Sequence, residues 1–141
     1  MQDILDFAID QEIEAHAFYV NLAAIVANAD LRRTIEGFAI DELQHHIRLE
    51  AIKARDVGFI EGEVGSLDVA EMVPVIEPNA RMTYADLLVV AMKKEKAAFR
   101  IYTNLASVTK DPALRETLLG MAKEEAQHKL RLEIEYDWET S

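Results

Sequence analysis

At 141 residues with no cysteine, 50% hydrophobic content and 29% charged, the chain is long enough for one well-packed domain and excludes disulfides and thiolate metal sites. A net charge of −11 argues against nucleic acid and anionic membrane surfaces, which require clustered Lys and Arg. No apolar run reaches the roughly 18 residues of a membrane span, and Met1–Asp6 lacks the basic and apolar regions of a signal peptide, so a cytoplasmic location is expected.

Residues 3–27 predict an amphipathic helix, with Leu5, Ala8, Ile9, Glu12, Ala15, His16, Tyr19, Leu22, Ala23 and Val26 at three- and four-residue spacing. Asn28-Ala29-Asp30 predicts a turn with Asp30 as the next cap. A second helix over 31–56 places Ile35, Phe38, Ala39, Glu42, His45, Leu49 and Ile52 on one face, and Gly58 marks its stop. Residues 57–82, broken by Gly58, Gly62, Gly65, Pro74 and Pro78, predict a long crossover that makes helix 3 run parallel to helix 2. Thr83-Tyr84-Ala85-Asp86 resembles a capping box that opens helix 3 over 84–108. Its inward face carries Leu87, Leu88, Ala91, Met92, Glu95, Ala98, Phe99, Tyr102, Leu105 and Ala106. Asp111 caps a fourth helix over about 113–136 with Pro112 at its first position, and the tail 137–141 is expected to dock through Trp138.

The chain is an internal repeat. Adding 83 to positions 3–50 gives 86–133 without a gap, and Leu5, Glu12, Tyr19, Leu31, Arg32, Gly37, Glu42 and His45 fall on Leu88, Glu95, Tyr102, Leu114, Arg115, Gly120, Glu125 and His128. Each half contributes one Glu from its first helix and one Glu-x-x-His from its second. Doubled, this is the donor set of a two-metal carboxylate site in a helical bundle. Carboxylates in the middle of apolar stripes are costly unless compensated, and two divalent cations would compensate them. The expected ligands are Glu12, Glu42, His45, Glu95, Glu125 and His128, with Glu42 and Glu125 as bridges and Glu12 and Glu95 as terminal ligands. Hard oxygen donors with one imidazole per metal suit iron or manganese, and iron, supported as Fe(II) and Fe(III), is preferred; zinc is a substitute.

Tyr19 and Tyr102 follow the first Glu of each half by seven residues and are candidates to hydrogen-bond a ligand carboxylate. Asp41 and Glu124 either orient a His or are solvated. His16, with Phe99 as counterpart, is a core-edge residue, an additional ligand or a proton relay, and His46 faces another helix or solvent. Glu50 and Glu133 are salt-bridging or surface residues.

The strings Glu12-Ile-Glu-Ala-His-Ala-Phe-Tyr19 and Glu95-Lys-Ala-Ala-Phe-Arg-Ile-Tyr102, with Glu42-Leu-Gln-His45 and Glu125-Ala-Gln-His128, resemble the rubrerythrin family of the ferritin-like superfamily across nearly the whole chain. The resemblance implies a single domain over 1–141, an all-α ferritin-like four-helix bundle with its crossover between helices 2 and 3. It also implies a non-haem di-iron peroxidase or oxidase that reduces hydrogen peroxide or dioxygen. The chain carries no rubredoxin domain, so electrons would come from an external donor such as a rubredoxin. Ala98 and Phe99 stand where rubrerythrins place an additional Glu. A ferroxidase with Fe(II) as substrate is the alternative, and a structural bundle with a vestigial site is a third reading. A homodimer is expected, with the glycines at 58, 62 and 65 providing a hinge for exchange.

Overall fold

The computed structural model describes residues 2–55 and 82–141. The predicted crossover and the Gly58 stop lie outside the described residues, apart from Met82 at the crossover's end. Every described element is a helix: α1 (Gln2–Ile25), α2 (Ala29–Arg55), α3 (Tyr84–Val108) and α4 (Pro112–Thr140). No described helix is long and apolar enough to cross a membrane. The chain divides into two compact units, Met1–Val57 with the α1–α2 hairpin and Gly58–Ser141 with the α3–α4 hairpin.

In the first unit the predicted stripe is buried. Leu5, Tyr19, Ile35 and Leu49 are each at most 1% exposed, and each fully buried large side chain contributes about 1.5–3 kcal/mol relative to exposure. The inward face is wider than predicted, since Ile4, Phe18 and Leu31 are also buried. Tyr19 meets Phe18 and Phe38 edge-on, with ring centroids 5.5 Å away in both cases. Asp6 reaches Lys53 Nζ at 2.6 Å and ties the open end of the hairpin.

The turn between α1 and α2 differs from expectation. The Asn28 side chain, not Asp30, accepts from the Leu31 backbone N–H at 2.9 Å, and α2 starts at Ala29. Asp30 lies inside the first turn, paired with Arg33. Arg32 closes the preceding helix, donating from Nε and Nη2 to the Val26 carbonyl at 3.2 and 2.9 Å. α1 consequently ends at Ile25, two residues before the predicted boundary.

The second unit repeats this chemistry. Asp111, the counterpart of Asn28, accepts from Ala113 and Leu114 with Pro112 in the first turn, as predicted. Arg115, the counterpart of Arg32, donates to the Ala106 and Thr109 carbonyls at 3.1 and 2.6 Å. The Thr83–Asp86 capping box is formed in both directions. Leu88, Leu105, Leu118 and Met121 are fully buried, joined by Val90, Ala97 and Ile101 beyond the predicted stripe.

Two expectations fail here. Trp138 is 76% exposed and does not dock; α4 runs through it to Thr140 because no Gly or Pro interrupts residues 137–140. Phe99 is 39% exposed rather than on the core face, since Ala98 and Tyr102 take the inward positions of those turns.

Candidate metal centre

Each hairpin buries a triad of two carboxylates and one imidazole. In the first unit, Glu12 comes from the middle of α1, and Glu42 and His45 come from one turn of α2. A three-residue spacing on a helix stacks Glu42 and His45 on one face. His45 Nδ1 lies 2.8 Å from Glu12 Oε2 and 3.3 Å from Glu42 Oε1, with all three side chains at most 1% exposed. One donor atom from each of the three falls within 4.8 Å of the others. In the second unit, His128 Nδ1 lies 3.4 Å from Glu95 Oε2 and 3.8 Å from Glu125 Oε1. These three also gather their donor atoms within 4.8 Å. All six predicted ligand residues are buried, three in each unit.

Burial opposes a charge on His45, but hydrogen bonds and charge attraction from Glu12 and Glu42 outweigh it and hold the imidazole at about 11. Without metal, His45 is therefore a cation at neutral pH. One imidazolium offsets one of the two carboxylates in its triad. A divalent cation held by His45, Glu12 and Glu42 would displace the imidazolium proton and supply one more positive charge, so the donor set fits such an ion.

The surrounding residues sort themselves around these triads. Tyr19 and Tyr102 are buried two turns beyond Glu12 and Glu95. The His16 ring meets the Ala39 carbonyl through Nδ1 at 2.8 Å and so crosses from α1 to α2 as a half-buried hairpin brace. His46 Nε2 lies 3.5 Å from Glu50 Oε1, and Lys129 Nζ lies 3.3 Å from Glu133 in a salt bridge. Asp41 and Glu124 are half-buried. The backbone acceptor for His16 and the closing roles of Arg32 and Arg115 were not anticipated. The repeat did pair Arg32 with Arg115, and that pairing was the available signal.

The fold is the all-α, ferritin-like four-helix class. It is shared over 95% of this chain and 86% of the other with a hypothetical protein from Pyrococcus furiosus, at 27% identity and a TM-score of 0.76. A protein from Thermotoga maritima, described as a ferritin-like diiron-carboxylate protein, matches 99% of this chain and 95% of its own at 21% identity and a TM-score of 0.74. At the family level, residues 86–137, covering α3 and α4 to Asp137, match the Rubrerythrin family model. No curated protein matches the chain significantly.

Proposed function

We propose that the chain is a rubrerythrin-like oxidoreductase holding two iron ions with Glu12, Glu42, His45, Glu95, Glu125 and His128, three donors from each unit. The observation that carries this is the burial of the same Glu, Glu, His triad in both hairpins. The Rubrerythrin match over the second triad supports it, as does the fold shared with a protein described as diiron. Manganese or zinc are substitutes, and the absence of Cys favours hard metals.

When bound, the iron pair supplies the electrons that reduce hydrogen peroxide or dioxygen. Peroxide reduction to two waters takes two electrons and two protons. The protein's residues keep the region dry and manage protons. Leu22, Leu49, Leu105 and Leu132, each at most 2% exposed, exclude bulk water from the two hairpin cores. The Tyr19 and Tyr102 hydroxyls are assigned to hydrogen-bond ligand carboxylates. Electrons are supplied by a carrier such as a rubredoxin.

Protein from iron-rich growth, analysed for metal and then mixed with peroxide and a reductant, tests this reading. Two irons per chain and catalytic peroxide loss support it. Net iron accumulation without reductant turnover supports Fe(II) as substrate instead, and a metal-free chain rejects both.

A further inference from the structure

The two halves differ in charge at several exposed counterpart positions. Ile13, Ala17, Val20 and Ile40 correspond to Lys96, Arg100, Thr103 and Lys123. Helix α1 contains no Lys or Arg, and its Asp10 and Glu14 are exposed with the half-exposed Ile13 between them. Helix α3 presents Lys93, Lys96 and Arg100 to solvent. Between α3 and α4 lies an open groove of about 660 Å³ lined by Lys96, Phe99, Arg100, Ala126, Lys129 and Glu133. Among the described lining residues three are basic and one is acidic, in a chain of net charge −11.

The two surfaces have matching spacing. Asp10, Ile13 and Glu14 occupy i, i+3 and i+4 of α1, and Lys96, Phe99 and Arg100 occupy i, i+3 and i+4 of α3. Such residues line one helix face at about 5–6 Å intervals. An acidic–apolar–acidic turn can therefore meet a basic–aromatic–basic turn with two ion pairs and one apolar contact formed together. We propose that the α3–α4 groove receives helix α1 of a second copy of this chain. The complement is present at equal concentration in every molecule, and all six residues of the two turns are solvent-exposed in the single chain. The contact joins two different faces, so it closes into a small ring or extends as a chain according to its angle. It uses none of the six triad residues.

Electrostatic pairing of exposed groups weakens with salt, as the Debye length falls from ~30 Å at about 0.01 M to ~3 Å at 1 M. Sedimentation of the full chain at these two ionic strengths is the test. The expected result is a mass above 15.9 kDa at low salt that falls toward 15.9 kDa at high salt. Asp10→Lys with Glu14→Lys, or Lys96→Glu with Arg100→Glu, each weakens self-association about tenfold. An equimolar mixture of the two double variants restores it, because each now complements the other at both surfaces. Asp10→Asn with Glu14→Gln removes the same charges without reversing them and gives a smaller loss in the same direction. A 15.9 kDa particle in both salts, association indifferent to salt, or a mixture that stays dissociated overturns the proposal. Metal content of the variants is read in parallel and stays at the wild-type level, so failure of the contact is distinct from failure of the metal reading.

Discussion

Glu42→Gln separates a metal triad from a buried ion-pair cluster. Glutamine keeps the shape of the side chain and removes one anionic donor of the three in its unit. His45 keeps its nearer partner, Glu12 at 2.8 Å, while the 3.3 Å contact to position 42 loses its charge. The metal-free variant should therefore melt within a degree or two of wild type. The metal-loaded comparison should differ sharply. An ion that binds only the folded state at 100 times its Kd adds about 2.7 kcal/mol. Loss of a supporting group around a ligand costs 10–100-fold in metal affinity, and a direct donor costs at least that. At the same metal concentration, the variant would gain only about 0.4–1.4 kcal/mol. For a chain of this size these values correspond to about a 10 °C rise in Tm for wild type and about 2–5 °C for the variant. Calorimetry with Fe(II) or Mn(II) under anaerobic conditions, against a chelated control, measures both. Glu125→Gln should behave alike in the second unit. Glu50→Gln, exposed and 3.5 Å from His46, should leave the metal-induced rise intact. A Glu42→Gln protein with the full wild-type rise would refute the assignment of Glu42 to the metal.

The remaining predictions concern the scaffold. Gly37 and Gly120 are helical, and a Cβ added to either meets nothing within 4 Å; Gly37→Ala and Gly120→Ala should each stabilise the metal-free protein by about 0.5–1 kcal/mol in urea melts. Asn28→Ala should cost about 1 kcal/mol as the loss of a cap, while Asp30→Ala should cost less, and equal losses would contradict the cap assignment. Burial, then the Glu135 and Glu139 carboxylates, push the Tyr84 phenol up to about 12. An unfolded phenol ionises near 10, so Tyr84's contribution is intact below pH 10 and lost as pH rises through 12. Tyr84→Phe should flatten that window in alkaline melts.

The interior of each hairpin was legible because a 3.6-residue period leaves few ways to bury it. Glu12 and Glu95 fall among alanines and tyrosines on that period, and two copies of one pattern made chance placement implausible. The cap was misread from local preference alone: Asp and Asn are about equal N-caps, and Asp30 lies nearer the predicted start. The repeat decides between them, because Asn28, not Asp30, is the counterpart of Asp111. Trp138 was misread because a large apolar ring suggests burial, whereas an uninterrupted helix carries it wherever its register points. Phe99 was misjudged for a related reason, as it sits at the edge of its stripe, where period alone does not distinguish inside from out. The outward-facing Ile40 and Ile47 are likewise invisible to a pattern that assumes apolar means interior.

The duplicated turns have a consequence for how the chain acquires its structure. Asn28 with Arg32, and Asp111 with Arg115, close each hairpin through groups at most nine residues apart. Such short loops have a small closure entropy, and a turn that satisfies its own helix ends needs no distant segment to form. Helix growth takes nanoseconds per residue, and closing a loop of about ten residues takes tens of nanoseconds. The hairpins can therefore assemble early and separately, each bringing its own two carboxylates beside its own histidine.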